Sequence, residues 1–138
     1  MKILALNVRG LEGKTKQHSV HSLFLTIQPD MILLQETRCR TYPVLHSFFK
    51  LLPNWEFCAT CASSLSGGLL TAWNPRRVRY HAFETIAHIL VKADFRGMNA
   101  PLVILNCYGP YRNQELFWDK VLRGGPSQCS ELYLGWGP

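Results

Sequence analysis

The most strongly apolar stretch of the chain is a short run at residues 31–34, Met-Ile-Leu-Leu. Four consecutive apolar residues between polar ones predict a strand that is buried on both faces. The run leads directly into Gln35 and Glu36. A carboxylate at the end of a buried strand is costly to desolvate unless a positive group meets it. Glu36 is therefore the first candidate functional residue, and its expected partner is a basic side chain or a metal ion.

A strand, a helix and a second strand are predicted for the first 36 residues. Residues 2–6 form a short apolar run, and the next apolar positions fall at the i, i+3, i+4 and i+7 spacing of an amphipathic helix: Val20, Leu23, Phe24 and Ile27. Pro29 ends this helix before the strand at 31–34. A crossover of this length favours two parallel, neighbouring strands.

Short strands separated by turns dominate the rest of the chain. Residues 44–52 have the apolar spacing of a short helix, and 113–122 have that of a second one. The predicted strands cover 55–62, 69–73, 78–83, 86–94 and 101–107. This arrangement suggests an antiparallel meander attached to the initial strand–helix–strand unit. The tail, 123–138, has no hydrophobic period, and we expect it to be irregular apart from a residual strand near 131–134.

Composition places the chain among intracellular globular proteins, in the nucleus or cytoplasm. It has 138 residues, the length of one domain, and 47% of them are hydrophobic. No apolar run is long enough to cross a bilayer, so no membrane partner is expected. The five cysteines are expected to be reduced thiols. A net charge of +6 favours a polyanionic partner, DNA or another phosphodiester first, although a solvated basic surface explains the charge equally well.

Polar side chains follow three of the predicted apolar strands. Asn7 ends the first, Glu36 follows the second, and Asn106 and Tyr108 end the strand at 101–107. Taken singly, Asn7 and Asn106 are more simply explained as strand ends that reach water. If the three strands share one edge of a sheet, however, Asn7, Glu36 and Tyr108 converge in one cleft. A carboxylate with an amide and a phenol suits a hard cation such as Mg²⁺ together with a phosphate.

Four short motifs then give the sequence a resemblance to a known family. They are Asn-Val-Arg-Gly at 7–10, Leu-Gln-Glu-Thr at 34–37, Ser-Gly-Gly-Leu at 66–69 and Asn-Cys-Tyr-Gly-Pro at 106–110. In this order they resemble the DNase I-like endonuclease/exonuclease/phosphatase superfamily, most of all the endonuclease domains of plant non-LTR (LINE-type) retrotransposons. The resemblance covers residues 1–122 and leaves 123–138 as an unmatched tail.

The resemblance implies a phosphodiester hydrolase that depends on Mg²⁺, or on Mn²⁺ in its place, built on an α/β sandwich. Carried over by position, Glu36 would be a metal ligand, Asn7 would help to position the phosphate, and Tyr108 would contact the scissile phosphate. The arginines expected along the substrate backbone are Arg9, Arg38, Arg76, Arg77 and Arg79. For each arginine a plain solvated basic edge is at least as good an explanation.

The sequence departs from the family's pattern in its last third. The family supplies an Asp-x-Asn element and then an Asp-His pair, but here no aspartate follows Asp119 and no histidine follows His88. The chain therefore resembles the N-terminal part of the domain, about half of a four-layer α/β/β/α sandwich: one mostly antiparallel mixed sheet with flanking helices. Such a half would expose an apolar sheet face, which predicts self-association.

Three hypotheses for function follow from these observations. The first is an active Mg²⁺-dependent nuclease or phosphatase. The second, which the missing elements favour, is a truncated and catalytically incomplete copy of a retroelement endonuclease that retains some affinity for nucleic acid. The third is an unrelated, non-catalytic module whose basic surface binds RNA or DNA.

Overall fold

Two four-stranded sheets and two helices make up the structure, a computed structural model that describes residues 1–62, 67–84, 88–109, 113–116, 119 and 132–136. The elements in chain order are β1 Ile3–Asn7, α1 Lys14–Ile27, β2 Met31–Gln35, α2 Tyr42–Phe49, β3 Glu56–Thr60, β4 Leu69–Trp73, β5 Val78–Glu84, β6 His88–Phe95, β7 Leu102–Cys107 and β8 Leu132–Trp136. The predicted helix at 113–122 lies largely outside the described residues. No helix in the described ranges is long and apolar enough to span a membrane.

The first sheet has the strand order β1-β2-β4-β3. β1 and β2 are parallel, with Ile3 opposite Met31 and Asn7 opposite Gln35, and the remaining pairs are antiparallel. The parallel strand–helix–strand unit predicted from the sequence is therefore confirmed. Since β4 runs against β2, the end of β4 at Trp73 lies beside the start of β2 at Met31.

The second sheet has the order β5-β6-β7-β8. β5, β6 and β7 form the predicted antiparallel meander, and β8 adds to β7 in parallel, with Val103 opposite Leu132. Leu132–Trp136 forms a five-residue strand, at the place where a residual strand near 131–134 was expected in an otherwise irregular tail. Its sequence, Leu-Tyr-Leu-Gly-Trp, gave little signal because a strand added at a sheet edge needs only a paired backbone and no long apolar period.

The two sheets pack face to face, and β2 shows why its apolar run is continuous. Ile32 and Leu34 belong to a core shared with α1 and α2, whereas Met31 and Leu33 belong to a second core shared with β6 and β7. Every residue of β2 is buried, as its pattern predicts. Successive strand side chains point to opposite faces, so a strand between two cores must be apolar throughout.

This packing confirms the α/β sandwich and corrects one detail of it. The sequence predicted a single mixed sheet with a bare apolar face, whereas the second sheet covers that face. The packing of one sheet on another joins segments that are far apart in sequence, so no local pattern of residues predicts it. The reason given for self-association, an uncovered sheet, is removed.

The predicted stripe of α1 is only partly in the core. Val20 is buried and Phe24 packs on the same core, but Leu23 is exposed. Gln17 is buried in its place, and its Nε2 donates to the carbonyl of Leu11 at 2.9 Å. A polar residue can occupy this position because its amide is satisfied by the loop that leads into the helix.

Candidate metal and phosphate site

Glu36 lies in a short segment that leaves β2 with left-handed backbone. Its φ is +51°, and that of Arg38 is +55°. Such angles cost a residue with a side chain on the order of 1 kcal/mol or more, so the surrounding structure must hold them. The segment is fixed from both sides: the N–H of Gly10 donates to the carbonyl of Glu36 at 2.7 Å, and the N–H of Arg38 donates to the carbonyl of Gly67 at 3.0 Å.

Three side chains contact the buried carboxylate of Glu36, whose side chain is only 6% exposed. Asn7 Nδ2 lies 3.3 Å from Oε1, and an Arg38 guanidinium nitrogen lies 3.0 Å from Oε2. The Tyr108 side chain forms a further hydrogen bond to the same group. The sequence predicted that a basic side chain or a metal would meet this carboxylate. Within the protein, that partner is Arg38.

These contacts keep Glu36 ionised. Burial is the largest single influence and would raise its pKa, but the hydrogen bonds from Tyr108, Asn7 and Arg38 and the charge of Arg38 together hold the pKa below its ordinary value. A buried carboxylate with several donors is stabilised in its charged form. The carboxylate is therefore charged over the whole neutral pH range, with Arg38 as its counter-ion.

Asn7, Glu36 and Tyr108 do meet, as the three strand ends suggested, although they come from different sheets. β1 and β2 bring Asn7 and Glu36 together in the first sheet, and Tyr108 follows β7 in the second. Asn7 is further oriented by its own backbone, since its Oδ1 accepts from the N–H of Arg9 at 3.2 Å. The cleft thus lies where the two sheets end at the same side of the sandwich.

A buried amide beneath the cleft joins the sheets. Asn106 is fully buried, and its Nδ2 lies 3.0 Å from the carbonyl of Leu70, 3.1 Å from Thr71 Oγ1 and 3.3 Å from the carbonyl of Leu34. Its Oδ1 accepts from Gln35 Nε2 at 3.3 Å. The simpler sequence interpretation, a strand end that reaches water, is therefore wrong for Asn106. The sequence pattern, a polar residue at the end of an apolar strand, is the same whether the side chain reaches water or is buried between two sheets.

The glycine pair of the third motif packs against the residue that follows Glu36. Gly67 and Gly68 have φ values of +88° and +83°, and the carbonyl of Gly68 accepts from the N–H of Thr37 at 3.1 Å. A methyl group on Gly68 would overlap Thr37 Oγ1, whereas one on Gly67 would meet open space. Within the described ranges, Thr37 Oγ1 is the buried side-chain atom that lacks a hydrogen-bond partner. Gly68 is thus required by close approach as well as by φ.

The predicted arginines fall into two groups. Arg9 and Arg38 lie beside the cleft, on the segments that follow β1 and β2. Arg76, Arg77 and Arg79 follow β4, so they lie near the start of β2, where Arg77 Nε donates to Asp30 at 2.9 Å. Asp30 and Glu36 are separated by the length of β2, about 20 Å at 3.3 Å per residue. The structure therefore does not bring the second group to Glu36.

The donor set suits a weakly held, hydrated cation better than a closed metal centre. Across the described ranges, no group of three or more His, Cys, Asp or Glu side chains could hold a metal ion. Mg²⁺, however, is commonly bound through one or two carboxylates, with water and phosphate oxygens as the other ligands. Glu36 is ionised and lies beside neutral hydrogen-bonding groups, which fits that mode of binding.

Comparison with solved structures identifies the fold. The endonuclease domain of TRAS1, a telomere-specific non-LTR retrotransposon, superposes with a TM-score of 0.72 at 13% identity over 98% of this chain and 58% of that domain. D. rerio TDP2 in complex with a single-strand DNA product gives 0.63 at 14% identity, over 91% and 56%. The AP endonuclease LMAP from Leishmania major gives 0.61 at 14% identity, over 87% and 43%. The chain has the DNase I-like fold.

The four short motifs therefore indicated the right fold, although sequence comparison does not find it. No protein-family model matches the chain, and no curated protein matches it. The chain spans less than two thirds of the length of these three structures.

Proposed function

We propose that this chain supplies the metal- and phosphate-binding end of a DNase I-like phosphodiesterase of the retroelement-endonuclease type, and that these 138 residues alone bind a phosphodiester without hydrolysing it. The observation that carries the proposal is the buried, ionised Glu36, contacted by Asn7, Arg38 and Tyr108 where the two sheets end. The similar folds of a retrotransposon endonuclease and of a TDP2 bound to single-strand DNA support a phosphodiester ligand. The reduced thiols expected from the sequence favour a place inside the cell.

Glu36 would hold the Mg²⁺, or Mn²⁺ in its place. When bound, the ion neutralises charge on the phosphate and on the leaving oxygen. Asn7 and Tyr108 carry hydrogen-bond donors that now point at the carboxylate, so both lie close enough to donate to a phosphate oxygen drawn to the same place. Arg38 adds a positive charge that can move between the carboxylate and a phosphate, because its side chain is 45% exposed.

Hydrolysis also needs a group that takes a proton from the attacking water. Such a base contributes typically 10²–10⁴-fold to the rate. The family resemblance assigns this task to aspartate and histidine residues near the C-terminus, but here the last aspartate is Asp119 and the last histidine is His88. Binding without hydrolysis is therefore the expected behaviour of this chain.

Metal titration tests the binding part of the proposal. Calorimetry with Mn²⁺ should show at least tenfold weaker binding for Glu36→Gln than for the unchanged chain, since the substitution removes the charged ligand. Arg38→Gln should bind Mn²⁺ about fivefold more tightly. The guanidinium competes for the carboxylate, and a half-exposed ion pair is worth about 1 kcal/mol. Equal affinity in all three proteins would contradict a metal site at Glu36.

Plasmid nicking in Mg²⁺ tests the catalytic part separately. We expect no nicking above that of the Glu36→Gln variant. Nicking that disappears in Glu36→Gln would show that the chain is an active nuclease and would overturn this part of the proposal, while leaving the metal site intact.

A non-catalytic nucleic-acid-binding module is the second candidate. The concentration of arginines after β4, far from Glu36, favours it. Nucleic-acid binding that is sensitive to salt, independent of Mg²⁺ and unchanged by Glu36→Gln would support this candidate for the chain as a whole, provided that the Mn²⁺ titration also shows no difference between the unchanged chain and Glu36→Gln.

A further inference from the structure

A basic groove lies at the end of the sandwich opposite Glu36. It encloses about 500 Å³ between the turn that follows β4 and the turn that follows β6. The groove is lined by residues 75–79 and 94–98, which include four arginines: Arg76, Arg77, Arg79 and Arg96. We call it the arginine groove.

The arginine groove carries an excess of positive charge that the protein does not neutralise. Its lining holds a single acidic residue, Asp94, which stands opposite Arg79 in the strand register. Arg77 pairs with Asp30 from outside the lining. Over the described ranges, neither Arg76 nor Arg96 has a carboxylate within ion-pair distance. Like charges held close together repel, so an anion in the groove would be favourable.

The backbone that carries these arginines is fixed. The N–H of Arg76 donates to Asn74 Oδ1 at 3.0 Å, and the N–H of Arg77 donates to the carbonyl of Asn74 at 3.0 Å. The N–H of Arg96 donates to the carbonyl of Arg77 at 2.9 Å, which joins the two turns. Pro75 restricts the first turn further. The backbone from which these side chains extend is thus fixed, so ligand binding has to order only the side chains and not the turns.

We propose that the arginine groove is a second phosphodiester-binding site, which holds the backbone of a nucleic-acid strand and works independently of the Glu36 cleft. Guanidinium groups bind phosphate oxygens in a bidentate manner, and several of them in one groove suit a chain of phosphates better than a single anion. This site needs no metal, since its own charges neutralise the phosphates. It also does not depend on the function proposed for Glu36.

The test is the salt dependence of binding to fluorescein-labelled oligothymidylate, followed by anisotropy in EDTA. The test variant is the triple change Arg76→Gln, Arg79→Gln and Arg96→Gln, and it leaves Arg77 in its ion pair with Asp30. Each phosphate contact to a single strand contributes about 0.7 to the slope of log K against log salt. The triple variant should therefore lower the slope by about 2, which corresponds to about 100-fold weaker binding at 0.1 M salt.

A matched control removes the same charge elsewhere. Lys14, Lys16 and Lys50 are exposed on or next to the helices, and their combined change to Gln should leave the slope unchanged. Equal losses in the two triple variants would mean that binding follows net charge alone, and this would overturn the proposal. Loss of binding in Glu36→Gln under EDTA would also overturn it, because the two sites would then be one.

Two further outcomes are decisive. Circular dichroism checks that the triple variant is folded; if it is not, the single change Arg96→Gln should still lower the slope by about 0.7. Vesicles of phosphatidylcholine and phosphatidylserine provide the other comparison. Vesicle binding that needs the arginines, with no oligonucleotide binding, would assign the groove to a membrane surface and would refute a nucleic-acid site.

Discussion

Replacing Gly68 by alanine should destabilise the chain by about 2–5 kcal/mol, for two separable reasons. The first is backbone strain: φ is +83°, and a side chain in the left-handed region costs on the order of 1–2 kcal/mol. The second is overlap: the new methyl group would collide with Thr37 Oγ1 and would lie 3.3 Å from the backbone nitrogen of Arg38. Overpacking of this kind costs typically 1–3 kcal/mol.

Gly67→Ala is the matched control for this prediction. Its φ of +88° imposes the same strain, but its methyl group would have nothing within 4 Å. Unfolding in urea, followed by tryptophan fluorescence, should therefore show a loss of about 1–2 kcal/mol for Gly67→Ala, and a further 1–3 kcal/mol for Gly68→Ala. The difference between the two variants measures the overlap alone.

A double variant locates the overlap. Thr37→Ala removes the hydroxyl that the new methyl group would strike, so the double variant Thr37→Ala with Gly68→Ala should be less destabilised than the sum of the two single variants. Equal destabilisation by Gly67→Ala and Gly68→Ala, within about 0.5 kcal/mol, would refute the reasoning. It would mean that Thr37 does not pack over Gly68, and that the glycine motif does not support the segment that carries Glu36.

Two further predictions concern the polar groups around the cleft. Asn106→Ala should cost about 2–4 kcal/mol in urea unfolding, because it removes the buried hydrogen bonds that Asn106 forms with Gln35 and with the carbonyl groups of Leu34 and Leu70. Asn99→Ala, at an exposed position, should cost less than about 0.5 kcal/mol, and similar losses would argue against a buried amide bridge. The second prediction concerns acid stability. The folded-state pKa of Glu36 lies below its unfolded value of about 4.3, so its contribution is complete above that pH and is lost as the pH falls through the folded pKa. Glu36→Gln should flatten this part of the stability curve, and an unchanged curve in Glu36→Gln would contradict the lowered pKa.

Local pattern was enough to predict the elements that form the first sheet. The apolar run of β2 and the crossover between β1 and β2 can both be predicted from residues that are close together in the sequence. The polar ends of β1 and β2 also fall where the pattern indicated, because parallel neighbours must end at the same edge. These features depend on contacts between segments that are close in sequence.

Local pattern predicted the strands of the meander as well, but it could not predict that they pack as a second sheet against the first. The contact between Gln35 and Asn106 joins residues 71 positions apart, and no local period encodes it. Asn106 is buried because β7 packs against the first sheet. The residues around Asn106 in the sequence therefore could not show whether its amide reaches water or lies between two sheets. A residual strand was expected near 131–134, but its parallel pairing with β7 could not be predicted for the same reason.

The direction of β4 decides where the arginines that follow it lie relative to Glu36. The resemblance implied that Arg76, Arg77 and Arg79 could line the backbone of the substrate. β4 runs antiparallel to β2, however, so residues that follow β4 must lie at the end of the sheet where β2 begins. The pairing partners of β4 were therefore the missing information. The same observation that removes these arginines from the cleft brings them together with Arg96 in a separate groove.

The arrangement around Glu36 explains how the protein accommodates a buried carboxylate. An unpaired charge at this position would be strongly destabilising. Arg38 neutralises it from the solvent side, while Asn7 and Tyr108 satisfy its oxygens from within the protein. In the proposed metal site, a cation would replace only the guanidinium, since the neutral donors could remain or turn to a phosphate. Arg38 would then compete with the metal for the carboxylate that it stabilises, so the fivefold gain expected for Arg38→Gln should be accompanied by a loss of stability of the protein measured in EDTA.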